Sequence, residues 1–145
     1  MSSTEYHVNR RELQFVVMEV LEAGKLCGFE AFSDFDEDLF SMTINEACTF
    51  AEQVLDPINQ SGDREGCRVE EGTVKTPQGF PEAWRQMGEG GWLSMKMSPE
   101  FGGMGLPELV TVAAKEVQLA ANQSLCIGNT LTTGAANLIY TFGSE

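Results

Sequence analysis

Residues 90–116, GGWLSMKMSPEFGGMGLPELVTVAAKE, decide how the rest of the chain is read. A double glycine and Trp92 close one element. A methionine-rich extended run follows, then a Pro-Glu-Phe-Gly-Gly-Met-Gly-Leu-Pro loop, and then an amphipathic helix begins. Loops usually carry few large apolar residues, yet this one carries Trp92, Leu93, Met95, Met97, Phe101, Met104 and Leu106. A connection that apolar lies against a packed surface, with glycines where the backbone turns tightly or approaches closely. The loop is therefore expected to be structural, pinned by buried Phe101 and Leu106, with at least one of its glycines at positive φ.

Downstream, Leu109, Val112, Ala113, Glu116, Val117 and Ala120 recur at helical spacing and predict a helix over 107–121. Asn122-Gln123-Ser124 should interrupt it. A last helix is predicted over 125–142, rich in small residues: Gly128, Thr130, Thr132, Thr133, Gly134, Ala135, Ala136 and Asn137. Glycine inside a helix costs ~1 kcal/mol relative to alanine, so such a composition asks for a reason. Small side chains either allow helices to approach closely or leave space for a ligand.

Upstream, Pro81 suits the first turn of a short helix over 81–88, with Phe80, Trp84 and Met87 as its inner face. Residues 59–79 are polar and glycine-bearing. Cys67–Glu70 and Thr73–Thr76, on either side of Glu71-Gly72, predict at most a small β-ribbon within 66–76. The strongest helix signal covers 37–56, where Asp34, Asp36, Glu37 and Asp38 crowd the start. Its stripe runs Phe40, Ile44, Ala47, Ala51, Val54, Leu55 and Ile58, and Pro57 is expected to end it near Asp56. A first helix over 10–26 should bury Leu13, Val16, Val17, Val20 and Leu21, after a loose segment 1–9. The fold class is all-α: an up-down bundle of about five helices in one domain, 10–145.

Bulk properties narrow the function. Across 145 residues, 22 acidic against 9 basic side chains leave a formal charge of -13. That balance repels phosphate backbones and anionic membranes, which argues against nucleic-acid or lipid-surface roles. No apolar run reaches the roughly 20 residues needed to span a bilayer. The cysteines Cys27, Cys48, Cys67 and Cys126 show no metal or redox spacing, and MSSTEYHVNRRELQF is no secretory leader. A soluble chain in a reducing cytoplasm is the expectation.

Catalytic motifs are sparse. Asp34-x-Asp36-x-Asp38 resembles half a calcium loop, but Leu39 and Asn45 stand where glycine and glutamate are needed. The glycine clusters Gly88–Gly91 and Gly102–Gly105 lack the Lys-Ser/Thr of a phosphate loop. The single histidine, His7, rules out His-based metal sites and Ser-His-Asp triads. Glu116, on a helix's apolar side, reads as a partly exposed or paired carboxylate before a general base. Met87, Met95, Met97 and Met104 fill core or line an adaptable apolar pocket.

The 90–107 motif, GW-L followed by PE-F-GG-M-GLP, resembles the signature loop in the N-terminal helical domain of acyl-CoA dehydrogenases. Ala121-Asn122-Gln123-Ser124, Gly134-Ala135 and Phe142-Gly143-Ser144-Glu145 are similar to that family's next helix. PINQSGDREGCRVEEGTVKTPQGFPEAW looks like the branch of larger members with an extra N-terminal helical segment, the branch of 3-methylmercaptopropionyl-CoA dehydrogenase. The resemblance runs from about Arg11 to Glu145.

It implies α,β-dehydrogenation of an acyl-CoA thioester: a glutamate removes the α-proton, FAD accepts a hydride, and an electron-transfer flavoprotein takes the electrons. No residue here matches that glutamate, and none is assigned to the cofactor. The flavin-binding β-domain and C-terminal helical domain of relatives are not in 1–145, so this stretch alone is expected to bind no FAD tightly and to be inactive. It is also expected to self-associate through an apolar face, made by the helix over 125–142 and the signature loop, that the parent keeps covered. What the domain supplies in relatives is part of the acyl-chain wall, and the matching inward positions are Ile127, Thr130, Leu131 and Gly134. The alternative is a non-catalytic helical interaction module derived from the same domain.

Overall fold

The computed structural model describes residues 6–143. They form an all-α domain with one two-stranded antiparallel ribbon. Its centre is the pair α2 (Glu37–Phe50) and α5 (Glu108–Ala121), which pack along most of their lengths. The Asp36 carboxylate caps α2, accepting from the Leu39 N–H at 2.7 Å, and Glu37 and Asp38 complement the dipole of the first turn. Phe40, Ile44, Ala47 and Cys48 then bury one stripe against Val110, Ala113, Ala114 and Val117 of α5. The alanines at this crossing keep the two backbones close.

Two helices depart from their expected extents. The second does not stop at Asp56: it widens into a π-turn at Ala51–Leu55 and continues as α3 (Asp56–Glu65), with Pro57 in the first turn. Proline breaks an α-helix by lacking an N–H and by crowding the carbonyl four residues back. The wide turn shifts the register just before Pro57, so the proline meets a new first turn instead of an interior. The first helix is α-helical only over α1 (Arg10–Gln14), widens to a π-turn at Phe15–Val20 and gives way to a 3-10 turn at Ala23–Gly28. Of the five residues expected to be buried there, only Val17 is, because the wider turn breaks the 3.6-residue stripe.

Of the segment 1–9, residues 1–5 lie outside the described residues. Residues 6–9 are tied down: Tyr6 N–H donates to Asp56 Oδ2 at 3.2 Å and Val8 N–H to Glu52 Oε1 at 2.9 Å. Arg10 reinforces the tie, donating to Asn45 O at 2.8 Å and to Glu52 Oε2 at 2.5 Å.

The ribbon falls where the residues placed it, with β1 (Arg68–Glu70) paired to β2 (Thr73–Lys75) in the register Val69–Val74. Glu71 and Gly72 both take positive φ, as a two-residue hairpin turn requires. In α4 (Phe80–Glu89), Phe80, Ala83 and Met87 form the inner face. Trp84 does not join them: it is 38 % exposed and lies at a groove edge with Phe80, Pro81 and Leu125.

Candidate functional site

The 90–107 loop is folded against the core, as its composition requires. Trp92, Met95 and Leu106 are buried, and two backbone bonds close the loop on itself, Gly105 N–H to Met97 O at 2.9 Å and Leu106 N–H to Met95 O at 3.0 Å. The expected extended methionine run is instead a series of turns over 91–97. Gly102 and Gly105 take positive φ, 76° and 68°. Phe101 corrects the expectation: it is 62 % exposed. It ends a 3-10 turn, Pro99–Phe101. There its ring stands edge-on to Tyr140, with centroids 5.5 Å apart. Of the two residues expected to pin the loop, only Leu106 is buried, and Trp92 and Met95 share the anchoring.

Tyr140 belongs to the element that carries the candidate site. After α5, the buried side chain of Asn122 starts α6 (Gln123–Cys126) by accepting from the Leu125 N–H at 3.1 Å. A 3-10 turn, Ile127–Asn129, leads into α7 (Thr130–Phe142). The join is held by Asn129, whose amide donates to Leu93 O of the loop at 3.0 Å. Beyond it, α7 has one buried residue, Thr133. No charged side chain occurs from Thr130 to Phe142.

Ile127, Thr130, Leu131 and Gly134 follow one another at spacings of three, one and three, so they share a helical stripe. All four are exposed. Ile127, 54 % exposed, borders a groove with Leu119, Ala120 and Gln123. Thr130 borders a small cavity with Trp92 and Gln118. Leu131 is 86 % exposed, and a Cβ placed on Gly134 would meet no atom within 4 Å. Among the described residues the four form an open stripe, not an enclosed pocket. Close helix packing within this chain is not the reason for the glycine at 134.

The sequence predicts an apolar face on the helix over 125–142 and the signature loop, but singles out only these four residues of it. Leu138, Ile139, Tyr140 and Phe142 are also exposed; Leu138 and Phe142 continue the apolar stripe to the helix end, and Ile139 and Tyr140 lie on other faces. The missing charge in 130–142 was the available signal: a helix without a polar face is covered on every side in the protein that uses it.

Burial pushes the Cys126 thiol up to about 11, which leaves it an unreactive apolar filler. Glu116 is exposed. Among the described residues no group of three His, Cys, Asp or Glu side chains could hold a metal, and no helix is long and apolar enough to cross a membrane.

A sequence model of one family, described as acyl-CoA dehydrogenase, N-terminal domain, matches residues 37–145, from the first residue of α2 through α7. The chain belongs to the acyl-CoA dehydrogenase N-terminal domain family. It is 30 % identical over 140 residues to 3-methylmercaptopropionyl-CoA dehydrogenase of Ruegeria pomeroyi, which covers 97 % of this chain and 24 % of that protein. A broad-specificity linear acyl-CoA dehydrogenase of Mycobacterium tuberculosis is 30 % identical over 146 residues, 98 % of this chain and 23 % of the relative. Butyryl-CoA dehydrogenase of Syntrophomonas wolfei is 29 % identical over 152 residues, with 100 % of this chain and 24 % of the relative covered. The acyl-CoA dehydrogenase domain thus spans about a quarter of the length of these relatives.

Proposed function

We propose that this domain walls part of the acyl-chain pocket in an FAD-dependent acyl-CoA dehydrogenase that oxidises an acyl-CoA thioester to the 2,3-enoyl-CoA. The observation that carries the reading is the uncovered apolar stripe of α7, with Leu131 at 86 % exposure and open space over Gly134. Hydrocarbon is the chemistry such a surface takes. Each methylene moved from water onto it gains about 0.8 kcal/mol when fully buried. Ile127 and Leu131 would supply dispersion contact, Gly134 would leave volume, and the Thr130 hydroxyl would mark the polar edge of the stripe.

The same stripe does not suit the diphosphate of FAD, which needs positive charge or several aligned donors. The role given to these residues is therefore confined to holding the acyl chain and excluding water from it. Hydride acceptance by FAD, electron transfer to an electron-transfer flavoprotein and a place in fatty acid metabolism belong to the proposed parent enzyme. The apolar end of α7, from Leu138 to Phe142, also supports self-association wherever no other domain covers it.

An acyl-CoA bearing a photoreactive diazirine at the end of its chain tests the reading. Irradiated with the dehydrogenase that carries this domain, it should label 127–134. Labelling confined to other parts of the enzyme would remove the assignment. Sedimentation of the 145-residue chain tests self-association, and a strictly monomeric species at high concentration would count against it.

A further inference from the structure

The side-chain nitrogen of Gln118 is buried without a hydrogen-bond partner among the described residues, and the residue is only 2 % exposed. Native interiors rarely leave a donor dry at that depth. Gln118 stands one turn after Lys115 on α5, and the two line a cavity of about 20 Å3 together with Met87, Trp92, Asn129 and Thr130. Lys115 itself is half-buried. The carboxylate that acts on it, Glu108, is paired instead with Lys96 at 3.2 Å, and Lys115 makes no ion pair among the described residues. Burial, with Lys96 adding to it, pulls the Lys115 ammonium below its ordinary range. An oxygen acceptor in the cavity would serve the Gln118 amide.

We propose that one water molecule occupies this cavity, accepting from Gln118 Nε2 and bridging α5 to the Asn129–Thr130 turn from which α7 departs. The volume admits about one water and no organic group. Water also fits the mixed lining. It can accept from the Gln118 amide while donating to the Thr130 hydroxyl or the Asn129 side-chain oxygen, whose amide nitrogen is already committed to Leu93 O. A halide could take the Gln118 donor but has no proton for the oxygens. The join between α7 and the body is then a wet one. The direction in which the candidate acyl stripe points is set partly by a hydrogen-bonded water and not by side-chain packing alone.

A crystal structure of the chain that resolves ordered water, with a parallel bromide soak, tests this. One peak within hydrogen-bond distance of Gln118 Nε2, with no bromide signal, is the expected result. In solution, Gln118→Met keeps the side-chain length but removes the amide, and it should lose one long-lived water in oxygen-17 relaxation dispersion. An empty cavity, a Gln118 amide bonded directly to protein, or a bromide peak in the water's place would each overturn the proposal. Should Gln118→Met fail to fold, the unsubstituted crystal and the soak decide the matter alone.

Discussion

The side-chain amide of Asn122 donates to the backbone carbonyl of Leu55 at 3.1 Å, across 67 positions of sequence. One residue thus joins the break after α5 to the end of the π-turn, while its oxygen caps α6 through the Leu125 N–H. A cap contributes about 1 kcal/mol and a buried hydrogen bond about as much again. Asn122→Ala should therefore lower unfolding stability by about 2 kcal/mol, measured by urea denaturation. A loss under about 0.5 kcal/mol, the usual range for surface substitutions, would show the tie to be incidental.

Two neighbouring glycines of the signature loop should respond differently to alanine. At Gly103 a Cβ would sit 2.0 Å from Met97 O, a clash that no small adjustment relieves. At Gly102, φ is 76° but nothing lies within 4 Å of an added Cβ. Gly102→Ala should cost about 1 kcal/mol for its backbone conformation alone. Gly103→Ala should cost more, about 2–3 kcal/mol, because the loop must open. Equal thermal shifts for the two variants would contradict this division.

Helix positions were largely legible because an amphipathic stripe and an acidic cap are local signals. Asp36 capping α2, the 68–75 ribbon and the interruption at Asn122 all follow from residues a few positions apart. The passage of the helix through Pro57 was not legible, since nothing in the order of residues marks a π-turn; it depends on how Ala51 and Leu55 seat against α5. Burial of Phe101 and Trp84 was misjudged for a related reason. An aromatic ring at helical spacing or beside a glycine reads as core, yet whether it is covered depends on elements far away in sequence. The unusual composition of α7 was visible, while the openness over Gly134 was visible only in three dimensions.

Acid should loosen the N-terminal strap. The Val8 N–H, aided by the Arg10 guanidinium, holds the Glu52 carboxyl below its ordinary range. A carboxylate whose pKa is depressed by folding stabilises above its unfolded value, about 4.3, and that stabilisation is lost as pH falls through the lower folded value. Stability should therefore decline below about pH 4.3, and less steeply in Glu52→Gln. Denaturation followed between neutral and acid pH checks this, and identical slopes in both proteins would exclude Glu52 as a contributor.

Gly134→Leu should shorten the acyl chains accepted by the dehydrogenase that carries this domain. The added side chain would fill the open space at that position, and a methylene of misfit is worth roughly 1–3 kcal/mol in discrimination. Turnover across a series of acyl-CoAs should shift towards the shorter members by tenfold or more per misfitting methylene. An unchanged profile in a stably folded variant would argue that Gly134 faces another domain and not the substrate.

The wide turn at Ala51–Leu55 makes this helix unequally tolerant of insertions and deletions. Each residue of an α-helix advances about 100° around the axis, so one residue fewer in the turn would rotate everything after it by that angle. Asp56 would swing away from the Tyr6 N–H, and Gly62 would leave the Phe80 ring, where only glycine permits so close an approach. A single deletion there would act as a twist and not as a shortening. The same deletion in the polar ribbon would alter only an exposed hairpin.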